Sequence, residues 1–295
     1  MVSTRPSFFI VGAPKCGTTS MYRYLEQHPQ VFLPAQKELN FFADDLFPDY
    51  ISEKDYLGLF AGAGDAKAVG EASVWYLYSN NAARNIHAFD PRARIIIMLR
   101  EPVEMLYSLH SQQYFQGMDP QVDFAAALAR GDAAGALLNY RATACYAEQV
   151  ARYLELFGAE RVHIILYQDL KADLPGVYRD TLAFLGLDTG FAPEFEVHNA
   201  NKEPRSGLLR RLSQLPPGLL QPLRRALPFG LRRRLIQAVI GWNARYTPRP
   251  ELDPELGRAL RRELEPEVRK LAALIGRDLS GWLSEEDEHG IGGLA

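Results

Sequence analysis

Apolar residues in this chain fall into short unbroken runs, separated by stretches in which they recur at helical spacing. Residues 8–11 (Phe-Phe-Ile-Val) are apolar without alternation, and so are Ile95, Ile96, Ile97, Met98 and Leu99. A run of this kind predicts a strand buried on both faces, hence a parallel sheet with helices on each side. Residues 161–167 predict a third strand and 68–70 a short one leading into Glu71-Ala-Ser-Val-Trp-Tyr, while 31–34 is strand-like. Helical spacing appears over 18–27, closed by His28-Pro29, over 79–88, over 146–157, and over 177–185, closed by Gly186. Pro102 suits the first turn of a further helix, where its missing donor costs nothing. Residues 43–66 read as loop and helix. Strands alternating with helices predict an α/β fold built on a central parallel sheet. From Arg205 onward the pattern offers no strand. Leucines broken by Pro216-Pro217 and Pro222 predict short helices, 254–275 a charged amphipathic helix, and the tail from Glu285 a frayed end.

Composition narrows the class. With 295 residues and 47% hydrophobic content the chain can bury a large core. The expected organisation is one domain over 1–295, with an α/β core over 1–200 and a helical, basic part over 201–295. A net charge of −3 argues against a general nucleic-acid binder. The charge is uneven, however: residues 202–249 hold eleven Lys or Arg against one acid, Glu203. Such a lobe suits an anionic polymer or membrane surface, or else is a solvated helical face. Two cysteines, Cys16 and Cys145, make no disulfide framework, and the first apolar run is too short for a signal segment or a span. A cytoplasmic protein without a transmembrane span is the expectation.

The first strand runs straight into Gly-Ala-Pro-Lys-Cys-Gly-Thr-Thr-Ser, residues 12–20. A glycine-rich turn between a strand and a helix cradles phosphate with its amides and the positive end of the helix dipole. Gly12 and Gly17 have Walker A spacing, but Thr18 stands where G-x-x-x-x-G-K-[ST] places its lysine, and Lys15 lies inside the loop. Arg100 stands at the end of another predicted strand. Ligands of α/β sheets sit at the carboxyl ends of strands, so both positions fit one site.

Pro14, Lys15, Gly17, Thr18 and Thr19 resemble the P-K-x-G-T-[ST] loop of sulfotransferases that use 3′-phosphoadenosine 5′-phosphosulfate (PAPS). Lys37-Glu38-Leu39-Asn40-Phe41-Phe42 is similar to the K-E-P-x-F-F segment of the heparan-sulfate-type branch. Arg100-Glu101-Pro102 with Ser108 resembles the 3′-phosphate site. The resemblance implies a P-loop-type three-layer sandwich and transfer of a sulfuryl group from PAPS to a hydroxyl or amine, leaving 3′,5′-ADP. It implies that Lys15 carries the catalytic cation and that Cys16, Gly17, Thr18, Thr19 and Ser20 hold the 5′-phosphate. Arg100 and Ser108 hold the 3′-phosphate, Glu38 is the general base, and Lys37 contacts the reacting centre. Leu39-Asn40 departs from the family's Pro-His, which weakens any claim to a glycan acceptor.

The transferred group gathers negative charge toward the leaving oxygen, which a pre-placed ammonium and amide donors stabilise. Neither of the two later strands carries a Walker B acid within its apolar run, and metal-independent transfer is expected. Phe41 and Phe42 are expected to desolvate Glu38 and raise its pKa. His110 is the rival base. Glu71, Ser73, Trp75 and Tyr76 resemble an acceptor-side segment, or else an aromatic core. Lys202 and Arg205 lie in a stretch that resembles the late loop closing over the nucleotide, or else in a charged surface loop. The alternatives to the enzyme reading are a P-loop small-molecule kinase and a polyanion- or membrane-surface-binding protein.

Overall fold

The computed structural model describes residues 5–48, 50–116, 118–119, 121–131, 139–196, 202–204, 244–246 and 250–284, with backbone alone at 202–204 and 244–246. Arg205, most of the basic 202–249 stretch and the tail from Glu285 lie outside the described residues. Strand β1 (Phe8–Gly12) leads to α1 (Thr18–Glu26), β2 (Val31–Phe32), α2 (Glu53–Gly58), β3 (Ala68–Ala72), α3 (Ala82–Phe89) and β4 (Arg94–Leu99). Helices α4 (Pro102–Phe115), α5 (Phe124–Gly131), α6 (Tyr140–Thr143) and α7 (Tyr146–Phe157) follow. Then come β5 (Val162–Leu166), α8 (Tyr167–Ala172), α9 (Leu174–Leu185), β6 (Lys202–Pro204), β7 (Ala244–Tyr246) and α10 (Pro254–Ile275).

The central sheet has the order β2-β3-β1-β4-β5, and every pair in it is parallel. All residues of β1 and β3 are buried, as are Ile95 to Leu99 of β4. Burial at successive positions requires cover on both faces of the sheet, and helices supply it. The expected α/β sandwich is therefore present. Each fully buried aliphatic side chain of β4 adds about 1.5–3 kcal/mol, which makes this strand the sheet's apolar spine.

Element ends follow local chemistry. The predicted helix over 79–88 begins later, at Ala82, because the Ser79 hydroxyl accepts from the amides of Asn81 and Ala82 and so caps it. The helix predicted from 177 begins earlier, at Leu174, because Asp173 accepts from the Gly176 amide and Pro175 suits the first turn. Helix α10 matches its prediction, capped by Asp253 on the Leu256 amide and closed by Gly276 at φ 63. One expectation is corrected. Ala244–Tyr246 is a strand, paired antiparallel with Lys202–Pro204. A three-residue ladder whose partner is far off in sequence leaves no periodicity to read.

The C-terminal segments brace the front of the sheet. Arg261 of α10 lies 3.7 Å from Glu101, which caps α4 through the amides of Val103 and Glu104. The Tyr107 hydroxyl donates to the Pro250 carbonyl, and β6 lies against α4. Among the described residues no helix is long and apolar enough to cross a membrane.

Candidate active site

The loop after β1 turns sharply, and its geometry selects its residues. Gly12 has φ 143, and a Cβ there would stand 2.6 Å from the Val74 carbonyl oxygen and 2.8 Å from the Leu77 Cβ. Gly17, at φ 87, caps α1 with no side chain over the helix end. Lys15, between them on the crest, adopts a left-handed φ of 64, which a non-glycine residue holds only when its surroundings over-determine it. Gly12→Ala is expected to cost about 2–5 kcal/mol through strain and overpacking. Urea unfolding reads this directly; a loss under about 1 kcal/mol would mean that the Val74 carbonyl gives way.

Around this loop the fold gathers a set of polar groups. Helix α1 points its uncapped first turn at the loop mouth, which favours an anion there. Lys15, Thr19 and Ser20 are partly exposed, whereas Cys16, Gly17 and Thr18 are buried. The Lys37 ammonium donates to the Thr19 hydroxyl at 3.1 Å and to that of Thr18 at 3.5 Å. Burial pushes Lys37 below the usual lysine range, against the pull of Glu38, whose carboxylate lies 3.8 Å away. The Ser20 hydroxyl instead engages Tyr24 one turn on. The Cys16 thiol donates to the Pro14 carbonyl at 3.3 Å, and burial pushes it up to about 12. Cys16 therefore stays a protonated packing group, and the loop's use of this position is through its backbone.

Arg100 extends from the end of β4. Its Nε and Nη2 donate to the Glu104 carboxylate at 2.8 and 2.5 Å, and the guanidinium lies 4.7 Å over the Tyr167 ring. Arg100 and Lys15 both act electrostatically on the Cys16 thiol, and a Cβ on Gly17 would meet Tyr167 at 3.4 Å. Arg100 and the Lys15 loop thus border one mouth. Ser108 is buried one turn beyond Glu104, on the same face of α4. Glu104 and Tyr167 were not anticipated. The opposite charge four residues after Arg100 was a usable signal for the first; the tyrosine just past a strand end was a weaker one for the second.

Glu38 lies opposite, on the segment that follows β2. Its amide donates to the Ala72 carbonyl at 2.8 Å, and its Oε2 accepts from the Val74 amide at 3.0 Å. The backbone is left-handed at Glu38 (φ 60) and at Asn40 (φ 54). Phe41 and Phe42, expected to wall Glu38, pack on other aromatic rings. Phe41, partly exposed, stacks on Tyr56, and buried Phe42 packs among Phe9, Tyr56, Tyr76 and Phe89. The Glu38 side chain stays 29% exposed, accessible to a substrate.

His110 is placed elsewhere. It is buried against Phe124 and Tyr140, and its Nε2 contacts the Gln121 carbonyl at 3.0 Å, which makes it a brace between α4 and the segments after it. The acceptor-side reading of Glu71, Ser73 and Tyr76 is also corrected. All three are fully buried, with the hydroxyls of Ser73 and Tyr76 donating to the Glu71 carboxylate. Trp75 alone of that group is partly exposed. The Lys202 backbone belongs to β6.

Comparison with known proteins bears on this arrangement. The model of a family described as the sulfotransferase domain matches residues 5–201. A solved sulfotransferase from Alicyclobacillus acidocaldarius aligns with a TM-score of 0.71 at 33% identity, over 94% of this chain and 98% of that one. Carbohydrate sulfotransferase 15 of Mus musculus is 28% identical over 272 residues, covering 70% of this chain and 47% of its own length. Bifunctional heparan sulfate N-deacetylase/N-sulfotransferase 4 of the same organism is 25% identical over 297 residues, covering 95% of this chain and 31% of its own. The chain spans less than half the length of these curated relatives.

Proposed function

The chain belongs to the sulfotransferase family, and on that premise we propose that it transfers a sulfuryl group from PAPS to a hydroxyl or amine of an acceptor. One observation carries the reading: a single ammonium, Lys37, spans the Thr18 and Thr19 hydroxyls of the anion loop and the Glu38 carboxylate. Donor seat and proton acceptor are therefore held side by side.

The residues present fit the donor. Its 5′-phosphosulfate suits the uncapped start of α1, the Thr18 and Thr19 hydroxyls and the Lys15 and Lys37 ammoniums. A ribose 3′-phosphate suits Arg100, whose guanidinium keeps three N–H donors after two go to Glu104, with Ser108 beyond. When bound, PAPS supplies the activated sulfuryl group; every other contribution is the chain's own. Lys15 and Lys37 hold positive charge where the leaving phosphate oxygen gains negative charge. Glu38, fixed by the Val74 amide, takes the proton from the acceptor. Lys202 and Arg205 are proposed to add charge to the nucleotide. Among acceptors, the names of the curated relatives favour a carbohydrate. The cytoplasmic location expected from the two cysteines remains part of this proposal.

Isothermal titration with 3′,5′-ADP, ADP and ATP tests the reading. The expected result is binding of 3′,5′-ADP at least tenfold tighter than ADP, without added metal, and loss of that preference in Arg100→Ala. A charge-assisted bidentate contact worth about 1.5–3 kcal/mol sets the size of the effect. Binding of ATP only with Mg²⁺ would favour the kinase alternative and overturn the proposal.

A further inference from the structure

Glu71 is the last acid expected at the end of a buried strand, yet β3 carries it with no measurable exposure. Three hydroxyls converge on its carboxylate. Ser73 donates at 2.7 Å, Tyr76 donates at 2.5 Å, and Tyr56 of α2 donates to the other oxygen. Glu38 adds like charge to this carboxylate, and Arg5 acts on Tyr56.

Two of these hydroxyls work in both directions. The Ser73 oxygen accepts from the Asn40 amide at 3.1 Å, and the Tyr76 oxygen accepts from the Phe42 amide at 3.4 Å. Each forms a relay in which an amide donates to a hydroxyl and the hydroxyl donates to the carboxylate. The amides belong to the loop that begins with Glu38, where two non-glycine residues have left-handed backbones. The Asn40 side-chain Oδ1 is itself buried without a hydrogen-bond partner. Val74, whose amide fixes Glu38, lies between the two relay residues in sequence.

We propose that Glu71 is a positioning residue for Glu38: its carboxylate aligns the two hydroxyl relays that hold the strained loop and the Val74 amide around the base. This rests on the reading of Glu38 as that base. The direction of the relays depends on Glu71 being ionised. A proton on Glu71 would have to be donated to one of the three hydroxyls, whose own hydrogen would then lose its acceptor.

Burial pushes Glu71 up to about 7, with the hydroxyls of Tyr56, Tyr76 and Ser73 pulling it down and Glu38 pushing it further up. Tyr56 and Tyr76 are themselves pushed upward, first by burial and then by Glu71, so both remain donors throughout this range. The loop should therefore loosen as pH falls through about 7.

Carboxyl ¹³C NMR of the full chain without nucleotide, labelled at glutamate and assigned with E38Q and E71Q, tests the coupling. The expected result is a step in the Glu38 resonance at the midpoint of Glu71, absent in Glu71→Gln and shifted in Ser73→Ala and Tyr76→Phe. Affinity for 3′,5′-ADP should stay within threefold in the latter two variants. Identical Glu38 titrations in the wild type, Ser73→Ala and Tyr76→Phe would overturn the proposal, whether or not Glu71→Gln folds. A more than tenfold loss of 3′,5′-ADP affinity in both would overturn it too, by showing general support of the donor site. If the wild type binds no 3′,5′-ADP, the donor assignment fails, yet the Glu38 step is still read in the free protein.

Discussion

Replacing Lys15 with alanine is expected to lower turnover by about 10²–10³-fold while leaving the fold and the melting temperature nearly unchanged. The physical basis is the position of the residue. Lys15 stands partly exposed on the crest of the anion loop, beside an uncapped helix start, with a backbone held in the left-handed region. Its removal deletes a cation aimed at developing charge, and one such donor in a dry site supplies about 2.7–4 kcal/mol of barrier lowering. Lys37 cannot replace it, because its ammonium is already engaged by the Thr18 and Thr19 hydroxyls and by Glu38. Steady-state rates with labelled PAPS and a saccharide panel, together with circular dichroism, would measure both halves. Turnover within tenfold of wild type would remove Lys15 from its role.

Glu38→Gln is the second large effect, expected at about 10²–10⁴-fold in rate. Glutamine keeps the contact with the Val74 amide through its side-chain oxygen, so the loop should hold while the proton acceptor is lost. His110→Ala should behave differently. His110 is buried against Phe124 and Tyr140, and its loss should appear in stability, at roughly 1–3 kcal/mol, with the rate at 25 °C changed less than about threefold. Comparing kcat with the urea midpoint for both variants separates the roles. A large rate loss in His110→Ala with Glu38→Gln unaffected would exchange the two assignments.

Much of the scaffold was legible in one dimension because strands buried on both faces leave an unmistakable signature. Ile95 to Leu99 and Phe8 to Val11 both read as strands covered on two faces, and the structure pairs them as neighbours. The glycine positions around Lys15 likewise declared a tight turn at a strand end. Side-chain direction was less legible. Phe41 and Phe42 look in sequence like a greasy wall beside Glu38, but Phe42 is held in the core by Phe9 and Phe89, and Phe41 stacks on Tyr56. Ser73 and Tyr76 resemble ligand contacts, and only the burial of Glu71 shows what they serve. Glu104 stands four residues after Arg100, a spacing that signals the pair, but only the structure shows its carboxylate on the guanidinium.

The sequence alone made legible a central parallel sheet, several of its helices and the glycine-bounded turn after β1. Those features depend on apolar period and on turn residues, which are local properties of the polymer. Tertiary structure decided which polar groups meet: Lys37 with Thr18 and Thr19, Arg100 with Glu104 and Tyr167, Glu71 with hydroxyls from two elements. Such partners come from separate strands and helices, and only packing, which settles where each buried group finds its hydrogen bond, brings them within reach of one another.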